Sequence, residues 1–150
     1  MDTIGKLNAA IYRCMQGIIN FKLRDIPIGS GQHDFFYVIS KSEGLTQKEL
    51  GQHLYVGKST TTKAVQNLIL NGYIRKEKDE KDKRCDRLYL TEEGKRILPR
   101  IHATFSEAVE LTTKNLSPQE TELALDLLKR ILQNVSYEKI KLSAESNENM

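Results

Sequence analysis

Hydrophobic residues recur at helical spacing near both ends of this 150-residue chain. The first run predicts one amphipathic helix from Thr3 to about Arg24. Ser117, Pro118 and Glu120 form a helix-start signal, and the residues after them predict a last helix of the same kind. The apolar positions of the two helices are Ile4, Leu7, Ile11, Met15, Ile18 and Ile19, then Leu123, Leu127, Leu128, Ile131, Leu132 and Val135. These faces are broader than a small core could cover, so we expect a second copy of the chain to bury them.

Shorter segments between these two helices predict three short helices, a β-hairpin and a long fifth helix. The spacing of Thr46 and Glu49 indicates a capping box, and Asn71-Gly72 is typical of a helix end. The predicted ranges are Gln32–Lys41, Gln47 to about Leu54, Lys58 to Gly72, Tyr73–Lys78 paired with Arg87–Thr91, and Thr91 to about Asn115. This order predicts a mainly α winged helix-turn-helix fold, with six helices, a two- or three-stranded β wing and a helical dimerisation region from both termini.

Positive charge is concentrated in the middle of the chain. The net charge is only +3, but residues 57–99 carry 11 basic and 7 acidic side chains. The flanking segments are close to neutral or acidic. Residues 1–56 carry 6 basic and 5 acidic side chains, and residues 100–150 carry 6 basic and 8 acidic ones. A local basic region is expected of a nucleic-acid contact, although a solvated charged loop gives the same count.

The fourth helix has the composition of a recognition helix. It contains no acidic residue from Gly57 to Gly72, and hydroxyls, amides and lysines occupy the side opposite its apolar stripe. Such side chains bond both phosphates and base edges, whereas carboxylates are repelled by phosphates. The alternative is that the threonines only begin the helix. The predicted DNA contacts here are Lys58, Ser59, Thr60, Thr62, Lys63, Gln66 and Asn67.

The predicted hairpin tip is rich in basic residues. We expect Arg84 to enter the minor groove beside the recognition helix, with Asp82 bracing Arg84 or Arg87 through a bidentate pair. A solvated loop of mixed charge is the alternative. The predicted contacts at the tip are Lys81, Asp82, Lys83, Arg84 and Arg87.

Several of these motifs resemble the MarR family of transcription regulators. The quoted runs are Gly44-Leu45-Thr46-Gln47-Lys48-Glu49-Leu50, Lys58-Ser59-Thr60-Thr61-Thr62-Lys63, Asn71-Gly72-Tyr73-Ile74, Asp82-Lys83-Arg84 and Leu88-Tyr89-Leu90-Thr91-Glu92-Glu93-Gly94. The resemblance implies a homodimer in which the first, fifth and sixth helices interlock and two recognition helices read a palindromic operator. It also implies a repressor released by a small-molecule effector, and it adds Thr46 and Gln47 to the DNA contacts. Gly57 departs from the family pattern, which often has Ser or Asp as the helix cap there.

The length predicts a single domain over residues 1–142. The DNA-binding lobe would span about 32–98, and the dimerisation helices about 3–25 and 99–142. Residues 143–150 are polar and are expected to be disordered. Without a signal pattern or a long apolar run, the chain is expected in the cytoplasm.

An anionic aromatic ligand is a further expectation. In relatives such ligands occupy a cleft between the dimerisation helices and the DNA lobe, and here Arg13, Gln16, Phe36 and Tyr37 could line it. Core packing explains the two aromatic residues equally well.

Other function classes find little support. His33, His53 and His102 share no ligand spacing, and no catalytic set can be identified, so neither an enzyme, a metal site nor a cofactor is expected. Cys14 beside Arg13 leaves a redox-sensing regulator as an alternative. A protein-docking winged helix without DNA is the remaining one.

Overall fold

The computed structural model describes residues 1–29 and 31–150, which form two compact units, Met1–Ala108 and Val109–Met150. The elements are α1 (Ile4–Lys22), α2 (Gln32–Lys41), α3 (Gln47–His53), α4 (Lys58–Leu70), β1 (Ile74–Lys78), β2 (Asp86–Leu90), α5 (Glu92–Thr113) and α6 (Pro118–Glu148). The predicted mainly helical fold and its element order are therefore confirmed. The unit boundary lies within α5, near residue 108, whereas a single domain over 1–142 is the sequence expectation.

The helix starts follow the local signals in the sequence. Thr46 and Ser117 each form a capping box, in which the hydroxyl accepts from the backbone N–H three residues on and the glutamate there returns a bond. Gly57 begins α4 without a side-chain cap. These two boxes explain why α3 and α6 begin where the sequence predicts.

The two helices of the helix-turn-helix approach each other closely at Gly51 of α3. A Cβ atom there would lie 2.9 Å from Thr61 Oγ1 and 3.0 Å from the Val56 carbonyl oxygen. Only a glycine lets α4 pack this tightly against α3 without a shift of either helix. This close contact holds the first turn of α4 against α3.

The wing is an antiparallel pair of strands, β1 and β2, with Ile74 opposite Leu90 and Lys78 opposite Asp86. The loop before α3 extends it, because Gly44 N–H donates to Leu88 O at 2.8 Å and Leu88 N–H donates to Leu45 O at 3.0 Å. Two strands and a short third partner thus match the expected two- or three-stranded wing.

One core lies in the unit 1–108. Its fully buried apolar side chains come from the end of α1, from α2, α3, α4, β1 and β2, and from the first half of α5: Leu23, Phe36, Ile39, Leu50, Val65, Leu68, Ile74, Leu88 and Ile101. The core therefore holds the helix-turn-helix and the wing together, which sets the position of α4 relative to the hairpin.

The long helix α6 in the unit 109–150 buries none of its side chains. Its exposed apolar residues are Leu123, Leu125, Leu127, Leu128, Leu132, Val135, Tyr137, Ile140 and Leu142. On α1, Ile4, Leu7, Ile11 and Ile18 are exposed as well. Both apolar surfaces are available for a partner.

The C-terminal segment corrects an expectation. Residues 143–150 are predicted to be disordered, but α6 continues through them to Glu148. No glycine or proline interrupts the helix after Pro118, and the hydroxyls of Ser143 and Ser146 bond carbonyl oxygens one turn earlier. A polar composition alone is therefore a poor guide here. Of the helices in the described ranges, none has the length and apolar character to cross a membrane.

Candidate nucleic-acid interface

The recognition helix α4 is divided cleanly into two faces. Thr61, Ala64, Val65 and Leu68 are buried, as the apolar stripe predicts. The opposite side forms an open concave surface lined by Lys58, Ser59, Thr62, Lys63 and Gln66. Because no carboxylate lies in this set, the surface presents cations, hydroxyls and an amide to solvent, a combination suited to phosphates and base edges.

The four successive hydroxyls of α4 differ in their hydrogen bonds. Thr61 donates to Gly57 O at 2.9 Å, and Thr62 donates to Lys58 O at 2.8 Å. Thr62 also accepts a hydrogen bond of 2.6 Å from Gln47 Nε2 of α3. Ser59 and Thr60 are exposed and have no side-chain hydrogen bond within the described residues. The free hydroxyls of the run are therefore those at the helix N-terminus, where the helix dipole favours anions.

Asp79 organises the base of the wing tip. Its carboxylate accepts from the backbone N–H groups of Lys81 and Asp82 at 2.7 and 3.1 Å and from Arg87 Nε at 2.6 Å. The two backbone bonds, followed by that from Arg87, lower the pKa of Asp79. Sequence reasoning missed this residue, although an aspartate two residues before a tight turn is a signal that could have identified it.

The guanidinium group of Arg87 is bonded within the protein. Besides its bond to Asp79, its Nη1 donates to the Gly44 carbonyl oxygen at 2.7 Å, which joins the wing to the loop before α3. The sequence prediction places Arg87 among the DNA contacts. In the structure its groups brace the wing, and its contact with DNA stays a prediction.

Arg84 instead projects from the tip. Its side chain is 91% exposed, yet Asp82 holds it through Nε at 3.1 Å and Nη2 at 3.4 Å. The hydrogen bond from the Arg84 side chain is the largest cause that lowers the pKa of Asp82. The predicted bidentate pair of Asp82 with Arg84 is therefore confirmed. Lys81 and Lys83 are exposed on either side of it.

The four residues predicted to bind an anionic aromatic ligand have different surroundings in the structure. Phe36 is fully buried and packs edge-to-face against Tyr73, with ring centroids 6.4 Å apart. Tyr37 stacks on Phe105 at 4.6 Å. Both rings therefore take part in core packing, the alternative that the sequence left open, and a ligand contact at either residue stays a prediction.

Gln16 faces a carboxylate, which also argues against an anionic ligand. Gln16 Nε2 donates to Asp34 Oδ2 at 3.1 Å, and partial burial raises the pKa of Asp34. A second negative charge beside Asp34 would be repelled. Arg13 is exposed on α1. The sequence could not show Asp34 opposite Gln16, because the two are 18 residues apart.

The histidines and cysteines are separate from one another. His33 is buried with neither ring nitrogen hydrogen-bonded, and its burial lowers its pKa. His102 lies 3.3 Å from Ser40 Oγ, and Cys14 and Cys85 are free and exposed. Among residues 1–29 and 31–150, no group of three His, Cys, Asp or Glu side chains could hold a metal ion.

The helix-turn-helix and the wing match known regulators in sequence and in structure. A sequence model of the MarR family matches residues 26–84. A solved MarR transcriptional regulator from Methanosarcina mazei is 33% identical and superposes with a TM-score of 0.77, over 89% of this chain and 97% of that one. The chain belongs to the MarR family.

Two further relatives extend the match to most of this MarR-family protein. The HTH-type transcriptional regulator YybA of Bacillus subtilis is 27% identical over 135 residues, which is 90% of each chain. A MarR-family regulator from Listeria monocytogenes, solved in complex with a 26mer DNA, is 25% identical with a TM-score of 0.85 over 92% of each chain. The protein is thus a winged helix-turn-helix transcription regulator of a DNA-binding, non-enzymatic family.

Proposed function

We propose that this MarR-family regulator binds a palindromic operator as a homodimer and represses transcription from it. The observation that carries the proposal is the exposed face of α4, where cations and free hydroxyls surround a helix N-terminus without any carboxylate. Two such helices related by a twofold axis read two half-sites of one palindrome. The Listeria relative, a chain of the same fold, was solved with a 26mer DNA, which supports DNA binding by this chain.

The contacts divide between the major and minor grooves. In the proposal, α4 enters the major groove and the wing tip lies over the adjacent minor groove, with Arg84 inserted. The proposed contacts are Thr46, Gln47, Lys58, Ser59, Thr60, Lys63, Gln66, Asn67, Lys81, Lys83 and Arg84. Thr62 and Asp82 support this set from within the protein, because each holds a neighbouring side chain by hydrogen bonds.

The proposed dimer rests on the exposed apolar surfaces of α1 and α6. Leu128, Leu132 and Val135 of α6 follow one another at spacings of four and three residues, and all three are exposed. A surface of this kind is stable in water only when another chain covers it. A small-molecule effector would act on the dimer through unequal affinity for its DNA-competent and incompetent arrangements.

Selection of bound duplexes from a random pool tests the proposal most directly. We expect the purified protein to enrich a palindrome whose half-site centres are one helical turn of DNA apart, or a multiple of it. A recovered sequence without twofold symmetry would contradict the dimer, and failure to enrich any sequence would contradict specific DNA binding. Transcription from a promoter that overlaps the recovered site, with and without the protein, tests repression.

A further inference from the structure

A hydrogen bond joins a side chain of α3 to a side chain of α4 at the proposed interface. Gln47, the first residue of α3, donates from Nε2 to Thr62 Oγ1 of α4 at 2.6 Å. Within the described ranges, no other side-chain pair links α3 to α4 by a hydrogen bond. Both residues are half-buried, and Thr62 lines the concave surface together with Lys58, Ser59 and Gln66.

The hydroxyl of Thr62 determines which way the Gln47 amide points. A threonine hydroxyl has one hydrogen, and Thr62 gives it to the Lys58 carbonyl oxygen at 2.8 Å. The hydroxyl can then only accept from Gln47, so the atom facing it must be the amide nitrogen. The oxygen Oε1 and the second N–H of Gln47 are left without a partner within the described residues.

The free groups of Gln47 differ from those of their neighbours. Lys58 and Lys63 carry only donors, which suit phosphate oxygens. A carbonyl oxygen repels phosphate and instead needs a donor, which in the major groove means N6 of adenine or N4 of cytosine. The remaining N–H of Gln47 could then donate to adenine N7 at the same time, whereas cytosine has no acceptor at that place. Adenine therefore satisfies both free groups.

We propose that Gln47 reads one adenine in each half-site, and that Thr62 is the positioning residue that holds its amide for this contact. This inference rests on the proposed function. It changes the role expected for Thr62, whose only hydrogen is already used within the protein. It also gives a reason for the hydrogen bond between Gln47, the first residue of α3, and Thr62 in the second turn of α4.

The test compares variants on the operator recovered with the wild-type protein, with every base pair of one half-site replaced in turn. In Gln47→Ala, discrimination should fall about 5–150-fold at one A·T pair and stay unchanged elsewhere, since a bidentate base contact contributes about 1–3 kcal/mol. In Thr62→Val, discrimination should fall at that same pair. Thr62→Ser, which keeps the hydroxyl, should retain it.

The double variant and a matched control complete the design. Gln47→Ala combined with Thr62→Val should be no worse than the single variants, because both remove one contact. Lys63→Ala should weaken all duplexes by a similar factor, as expected for a phosphate contact. Gln47→Met, which keeps the length of the stem, serves as a second variant if Gln47→Ala is poorly folded in thermal unfolding.

Three outcomes would overturn the inference. Thr62→Val could alter a different base pair from Gln47→Ala, which would make Thr62 a reader itself. Both variants could weaken every duplex equally, which would make the hydrogen bond structural only. The affected pair could also be one other than A·T. These three results can be told apart from failure of the proposed function itself. If the wild-type protein enriched no sequence, both the proposed function and this inference would be contradicted.

Discussion

At the residue scale, the side chains at the wing tip divide into those that hold the hairpin and those that extend from it. Asp79 and Arg87 bond to each other and to the backbone, while Arg84 keeps most of its surface exposed even though Asp82 holds it. A held arginine loses less conformational freedom on binding, because part of its ordering is already present in the free protein. Of the wing residues, Arg84 is therefore the one whose removal should weaken DNA binding most.

Replacing Arg84 with alanine should weaken operator binding by about 1–3 kcal/mol, because a pre-oriented guanidinium in the minor groove would be lost. A gel-shift titration measures the change. Arg130→Ala on α6 is the matched control, since it removes one exposed arginine from the unit 109–150 and should have little effect. Equal losses in the two variants would show that only net charge matters.

Tyr55 is strained in the turn between α3 and α4. Its φ is 55°, in the left-handed region, and its side chain is 60% exposed. We expect Tyr55→Gly to raise the free energy of unfolding by about 0.5–1 kcal/mol, because the left-handed penalty of an L-residue exceeds the entropy that glycine adds to the unfolded chain. Denaturant unfolding measures the change.

Asn115 provides the control for that substitution. It also has a positive φ, of 65°, but asparagine tolerates this conformation better than tyrosine does. Asn115→Gly should therefore change stability less than Tyr55→Gly. A loss of stability in Tyr55→Gly would mean that the ring makes a stabilising contact that outweighs the strain.

At the element scale, the end of α1 is tied to α5 within the unit 1–108. Both Nη atoms of Arg100 bond the Asp25 carboxylate, and Nη2 also donates to Lys22 O at 3.2 Å, near the end of α1. The hydrogen bond from the Arg100 side chain is the largest cause that lowers the pKa of Asp25 to about 2. This connection adds to the core contacts of Leu23, Ile26 and Ile28, which already hold the segment after α1.

The lowered pKa of Asp25 makes this connection sensitive to acid. A carboxyl group with a lower pKa in the folded state stabilises the fold above its unfolded pKa, near 3.8, and loses that contribution as the pH falls through about 2. The wild type should therefore be more stable than Asp25→Asn at pH 6, and the difference should shrink between about pH 4 and pH 2. Thermal unfolding across this range measures it, and a constant difference would contradict the assignment.

At the scale of the whole molecule, the charge is low but unevenly placed. The net charge of +3 conceals an excess of four basic residues over acidic ones in residues 57–99, the segment that contains α4 and the wing. Long-range attraction to DNA therefore depends on a local field and not on the overall charge. The dependence of DNA affinity on salt concentration measures this attraction.

Operator affinity should fall steeply with salt. If the proposed dimer neutralises ~6–10 phosphates, affinity should drop ~10³–10⁵-fold between 50 and 200 mM salt, because bound counterions are released from the DNA. Binding measured at several salt concentrations gives the slope. A flat titration would exclude phosphate neutralisation as the source of affinity, and a slope that Lys58→Ala leaves unchanged would place the contacts elsewhere.

The elements of this protein could be predicted from the sequence because their causes are local. The capping boxes at Thr46 and Ser117 involve residues three apart, and the buried stripe of α4 follows from helical spacing. The pair of Asp82 with Arg84 spans two residues and could be predicted for the same reason. Interactions within one or two turns of the chain do not require knowledge of the rest of the fold.

The roles of several side chains were decided only by the tertiary structure, because their partners are distant in sequence. Arg87 bonds the carbonyl oxygen of Gly44, 43 residues away, and so braces the wing. Gln47 bonds Thr62 across 15 residues, and Gln16 bonds Asp34 across 18. A basic, amide or aromatic residue has the same appearance in a sequence whether it faces solvent or a partner. Packing alone brought these pairs together, and it thereby determined which polar groups were left free to meet a ligand.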